Sequence, residues 1–168
     1  EDTAFRNMTR EAMDKVLQPK VQGSIVLDQL FRDNKDLDFF VFFSSLVGVL
    51  GNAGQANYSA GKAAIIGLTK AMSKEWGRYK VNVNCVAFGL IKTRLTEAAA
   101  GGDASIDVEG RKIKVGVNPD LLKTMEATVP IGRAGTPAEA AGSVYLFCIP
   151  ESNYVSGQVL VCGGGFSM

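Results

Sequence analysis

Histidine is absent from this chain of 168 residues, and that absence excludes Ser-His-Asp and Cys-His nucleophilic catalysis along with most zinc sites. Any acid or base has to be Tyr, Lys, Asp, Glu or Cys, and no metal-ligand set is expected. An excess of charge of either sign is also lacking. Lys and Arg number 18 against 17 Asp and Glu, a formal charge of +1. No basic block follows the pattern of a nucleic-acid surface, so no nucleic-acid partner is expected. No apolar run approaches the roughly 18 residues of a membrane helix, and the polar start, Glu1 to Arg10, has no apolar signal core. The expectation is a chain neither targeted nor embedded. Cysteine is scarce: Cys85, Cys148 and Cys162 are odd in number and far apart. They read as buried, reduced thiols of a cytoplasmic protein rather than as a disulfide framework.

What is present is ordinary globular material, 46% hydrophobic and 21% charged, enough for one core and a single domain over residues 1–168. From Thr9 to Arg32, apolar residues recur at spacings near three and four, with Thr9 as a candidate N-cap. This predicts a long amphipathic helix that Pro19 should bend or break. The apolar run Leu37 to Ser44 suits a central parallel strand, dry on both faces. A loop is expected over Leu46 to Asn57, then a helix from beside Tyr58 to about Gly77. Strands follow at Val81 to Ala87 and Gln158 to Val161, with a helix over Thr136 to Phe147 that has Pro137 in its first turn. Strands alternating with helices, and no hairpin signal, argue for an α/β layer on a parallel sheet, although three strands are too few to complete one. The long segment from Thr96 to Val129 reads as a lid, and its charge run Asp107 to Lys114 as a solvated surface.

The chemistry concentrates in Ser44-Ser45-Leu46-Val47-Gly48-Val49-Leu50-Gly51-Asn52-Ala53-Gly54-Gln55-Ala56-Asn57-Tyr58-Ser59-Ala60-Gly61-Lys62. Tyr58 and Lys62 are four apart and share one helix face. A phenol of pKa about 10 is a poor acid at neutral pH, but a neighbouring ammonium lowers that value toward the working range. Tyr58 could then protonate a carbonyl oxygen as a hydride arrives. Ser45, at the strand end, could hydrogen-bond the same oxygen, while Ser44 should point to the opposite face.

With its Ser and Tyr-x-x-x-Lys signature, this stretch closely resembles the short-chain dehydrogenase/reductase family, ketoreductase type. The resemblance continues through Val83-Asn84-Cys85-Val86-Ala87-Phe88-Gly89-Leu90-Ile91-Lys92-Thr93. There it implies cofactor contacts by Gly89, Ile91 and Thr93, although a threonine after a strand is also a common cap, and Phe88 replaces the family's usual proline. It extends to Gly132-Arg133-Ala134-Gly135-Thr136-Pro137-Ala138-Glu139 and to Val155-Ser156-Gly157-Gln158, both similar to carrier-protein-linked ketoacyl reductases. The family's glycine-rich pyrophosphate turn has no counterpart here. The implied fold is therefore an incomplete Rossmann-like doubly wound parallel sheet, the second half of such an enzyme.

Lys20 stands where most of the family has asparagine and where polyketide-synthase ketoreductases have lysine. Those enzymes then carry asparagine four residues after the tyrosine, whereas this chain has Lys62, so both positions are basic. The first 60 or so residues are similar to the polyketide type and the rest to stand-alone bacterial reductases, which implies a mosaic or a fusion. Lys20 either enters the site, where each ammonium would depress the other's pKa, or lies solvated on the helix with its stem packed.

The resemblance implies an NADPH-dependent reduction (NADH being the other candidate cofactor) of a β-ketoacyl thioester carried on a carrier protein or CoA. Ser45, Tyr58, Lys62 and Lys20 would be catalytic, Tyr58 and Lys62 would also hold the cofactor, and 96–129 would be the substrate lid. A homodimer or homotetramer built on the two long helices is implied, with no nucleic-acid or membrane partner. The rival readings are a non-catalytic scaffold fragment and an alcohol dehydrogenase running the reverse reaction.

Overall fold

The computed structural model describes residues 7–31, 34, 36–93, 96, 105–108, 111–114 and 118–166, with the backbone alone for 105–108 and 111–114. The elements in order are α1 (Arg10–Phe31), β1 (Phe39–Ser45), α2 (Leu46–Leu50), α3 (Ala56–Trp76), β2 (Asn82–Phe88), β3 (Ser105–Val108), β4 (Arg111–Lys114), α4 (Pro119–Thr128), α5 (Pro137–Tyr145) and β5 (Val159–Cys162). They fall into two compact units. The first comprises Glu1–Phe88 with Ser143–Cys162, and the second Gly89–Gly142 with Gly163–Met168.

In the first unit, β1, β2 and β5 form a parallel sheet in that order, a Rossmann-like α/β arrangement. Phe42 pairs with Cys85 and Cys85 with Val159, so these three side chains share one face. On that face Phe42, Val83 and Cys85 pack with Ile65, Met72 and Trp76 of α3 to form the core. The buried positions of α3 are Asn57, Gly61, Ile65, Thr69, Met72 and Trp76, a stripe advancing by three or four residues per step. Phe40 sets its ring edge-on to Trp76, with centroids 5.7 Å apart, and Trp76 Nε1 donates across to Asp28 Oδ1 of α1 at 3.1 Å. A buried indole N–H needs such an acceptor.

Four expectations are corrected in this unit. α1 continues through Pro19 as one helix rather than breaking there. The proline lies exposed, on the solvent side of the helix, where water can meet the loss of one N–H donor. β1 is an edge strand among the described residues, not a central one, and Phe39 and Phe43 are 40% and 54% exposed on its outer face. The central strand is β2. The segment after Ser45 begins with the short helix α2 rather than a loop, capped at its start by Ser45. Of the three free thiols only Cys85 is buried, and Cys148 and Cys162 are partly exposed.

The second unit holds an antiparallel hairpin, β3 paired with β4, where no hairpin was expected. It overlaps the expected charge run, and residues 109–110 between its strands lie outside the described residues. α4, also unforeseen, is capped by Asn118, whose Oδ1 accepts from Asp120 N at 2.8 Å, with Pro119 in the first turn. The segment expected as a lid, 96–129, thus contains β3, β4 and α4, while its residues 97–104, 109–110 and 115–117 lie outside the described residues. At the start of α5, Thr136 Oγ1 accepts from Glu139 N at 3.2 Å, and Glu139 Oε2 accepts from Thr136 N at 2.8 Å, a reciprocal capping box. Gly164 adopts φ +63°, and a Cβ there would lie 2.7 Å from Val129 Cγ1, so the chain passes Val129 as only glycine can.

Candidate active site

The site forms where β1 ends against α3. The two serines closing β1 point to opposite faces, as strand alternation requires. Ser44 is buried and its Oγ donates to Lys62 O at 2.9 Å, pinning the strand end to the helix. Ser45 is half-buried, and its Oγ accepts from Val47 N at 3.3 Å. Accepting uses an oxygen lone pair and leaves the Ser45 O–H free to donate elsewhere.

Tyr58 and Lys62 occupy the first turns of α3 on one face, with Lys62 Nζ 5.8 Å from the Tyr58 ring centroid. The Lys62 ammonium donates to Phe43 O at 3.0 Å, which ties it to β1 two residues before Ser45. Asn57, fully buried beside Tyr58, accepts from the Tyr58 amide at 2.8 Å and helps fix the first turn. Burial, then the charge of Lys20, pushes Lys62 below the usual amine range, while Cys85 acts weakly the other way. Burial pushes the Cys85 thiol up, against weaker opposing hydrogen bonds from Thr69 and Ser44.

Lys20 reaches this corner with its stem packed. A Cβ on Gly61 would meet Lys20 Cδ at 3.4 Å and Cε at 3.5 Å. Gly48 of α2 makes an even closer approach, since a Cβ there would lie 2.6 Å from Lys62 Cβ and 2.7 Å from its carbonyl carbon. Gly48, Cys85 and the Phe43 carbonyl were invisible to residue-type reasoning, because their role is contact rather than chemistry.

The expected nicotinamide contacts, Gly89, Ile91 and Thr93, lie in the second unit, where Ile91 and Thr93 have local partners. Ile91 bridges to Gly135 in parallel, and a Cβ on Gly135 would lie 2.9 Å from Ile91 Cδ1. Thr96 Oγ1 accepts from Thr93 N at 2.7 Å, so Thr96 caps this turn rather than Thr93. Arg133 grips Glu139 through two hydrogen bonds of 2.9 and 2.6 Å. The Arg133 guanidinium, helped by Thr136, holds the Glu139 carboxyl down to about 2.

The corner thus places a strand-end serine, a tyrosine in the first turn of α3 and a lysine one turn later at one end of the sheet. Residues 1–93 match the family model of the KR domain, and the chain belongs to that family, within the short-chain dehydrogenases/reductases. It is 39% identical over 127 residues to the 3-oxoacyl-acyl-carrier-protein reductase FabG of Chlamydia muridarum, covering 76% of this chain and 44% of that protein. It is 34% identical to the same-named reductase of Aggregatibacter actinomycetemcomitans, covering 98% of this chain and 61% of that protein. An acetoacetyl-CoA reductase of an Acinetobacter species is 33% identical, covering 99% and 61% respectively. The chain therefore spans roughly half of these relatives' length. Among the described residues, no helix is long and apolar enough to cross a membrane.

Proposed function

We propose that this chain carries the catalytic corner of a ketoreductase that uses NADPH, or alternatively NADH, to reduce the ketone of a β-ketoacyl thioester. The observation that carries the reading is the Lys62 ammonium, set beside the Tyr58 ring with a single backbone carbonyl as its protein partner among the described residues. An ammonium has three donors. One goes to Phe43 O, and the remaining two suit the vicinal hydroxyls of a ribose, so the donor set fits a nicotinamide nucleotide held by Lys62 and Tyr58. Gly89, Ile91 and Thr93 are proposed as further cofactor contacts, and 96–129 as the substrate lid.

When bound, the reduced nicotinamide supplies a hydride. The Ser45 O–H donates to the substrate carbonyl oxygen and orients it. Tyr58 transfers its phenolic proton to that oxygen, and the Lys62 charge stabilises the phenolate left behind. Lys20 adds positive charge at the same corner. The relatives' names, which specify carrier-protein-linked and CoA-linked ketoacyl substrates, support the thioester class. The exposed Val21, Ile25 and Leu30 of α1 support a second copy packing there, and the free thiols support a reducing, cytoplasmic setting.

The test is NADPH binding by fluorescence titration, together with turnover of a β-ketoacyl thioester. Tyr58→Phe should retain binding and lose activity by about 10²–10⁴-fold, the usual contribution of a general acid. Undiminished turnover in Tyr58→Phe would remove the reading. Binding without turnover in the parent chain would favour a scaffold fragment instead.

A further inference from the structure

Two lysines from different helices converge on one turn of α3. The Lys20 stem lies over Gly61, and the next residue, Lys62, is half-buried with Nζ donating to the neutral Phe43 carbonyl. Among the described residues, the ion pairs present involve neither lysine. The titratable groups facing Lys62 are Lys20 from α1, Cys85 from β2 and Tyr58 on its own helix. Cys85, with its thiol pushed up by burial, is uncharged near neutral pH. The net influence on Lys62 is thus burial plus one like charge. A half-buried amine next to a second cation is held less firmly in its charged form, which favours nucleophilic reactivity.

We propose that Lys62 is also an amine nucleophile that condenses reversibly with the carbonyl of small aldehydes and ketones, and that Lys20 sets its reactivity. A neutral amine donating one N–H to Phe43 O still presents its lone pair. That pair attacks the carbonyl carbon, and the C–N bond forms as the C=O π electrons move to oxygen. Two protons pass from nitrogen to that oxygen, which leaves as water, and the C=N bond closes. Amine and carbonyl thus become imine and water with no oxidant or reductant, and hydrolysis reverses the step. The ketoreductase role uses the charged form of the same residue and the imine the neutral form, so one group serves both according to pH.

The experiment treats the intact chain with propanal and cyanoborohydride, which freezes the imine as a propyl-lysine, and maps the adducts by peptide mass spectrometry. Lys70 and Lys74, exposed on the same helix, are internal references. Lys62 should label several-fold faster than either near neutral pH. Its labelling curve should move to higher pH in Lys20→Met and in Lys20→Gln, with Trp76 fluorescence confirming that each variant is folded. Labelling of Lys62 no faster than of Lys70 and Lys74, or a curve unmoved in both folded variants, would overturn the proposal. No nicotinamide is present, so the outcome is read separately from the Tyr58→Phe turnover test.

Discussion

Replacing Gly48 with alanine tests how tightly the site is built. The added methyl would lie 2.6 Å from Lys62 Cβ, 2.7 Å from Lys62 C and 3.0 Å from Ala63 N. Ordinary carbon contacts are about 3.5–4.0 Å, so α2 and α3 have to separate by roughly 1 Å. Two of the three obstructing atoms are helical backbone and cannot rotate aside. Overpacking of this kind costs about 1–3 kcal/mol, offset by about 0.5–1 kcal/mol for removing a glycine from a helix. A net loss of about 1–2 kcal/mol is expected. The matched control is Gly67→Ala in the middle of α3, where the residue is exposed and an added Cβ meets nothing within 4 Å. That change should stabilise by up to about 1 kcal/mol. The sole tryptophan, Trp76, is 2% exposed and reports urea unfolding directly. Each kcal/mol corresponds to about 2–4 °C in Tm for a chain of this size. If Gly48→Ala were as stable as the parent, the close approach of α2 to Lys62 would be wrong.

Two other perturbations follow from single contacts. Asp28→Ala leaves the buried Trp76 N–H without the acceptor it has at 3.1 Å and should cost about 1–3 kcal/mol, read as a lower urea midpoint; an unchanged midpoint would deny the bond any role. Glu139, held at about 2 against an ordinary 4.5, has a depressed folded pKa, so its contribution is complete above pH 4.5 and disappears as pH falls from 4.5 toward 2. The protection factor of the Thr136 amide, its exchange rate compared with the intrinsic rate at each pH, should fall across that window in the parent chain and show no such step in Glu139→Gln.

The three parallel strands and the long helices were legible because each rests on a local pattern, and the spacing of Tyr58 and Lys62 is likewise enough to put them on one face of α3. What escaped depended on which neighbour arrives. The alanines at 60, 63, 64 and 71 follow helical spacing, yet 60, 63, 64 and 71 are exposed, while Asn57, Gly61 and Thr69 are buried. α3 packs so closely on β1 and α1 that small and hydrogen-bonding residues win the interface. In β2, where Val and Asn alternate, Asn84 is 1% exposed. Its amide donates to Val155 O at 2.7 Å and accepts from Gln158 N at 3.0 Å. Residues 105–114 carry no Asn or Pro to signal the β3–β4 hairpin, and Pro19 misled because its position on the exposed side of α1 depends on tertiary packing.

The bonds of β2 to residues 153–158 also order events in time. Asn82 Nδ2 donates to Asn153 O at 3.0 Å, Val83 N to Ser156 Oγ at 3.1 Å, and Gly157 N to Val83 O at 2.7 Å. All of these partners lie more than 70 residues downstream. During synthesis the central strand therefore emerges with its β1 partner already made but the groups on its other edge waiting for a segment not yet made. Loop closure over that distance slows folding, and the hydrated asparagines keep the waiting strand soluble until residues 153–158 arrive to dry it.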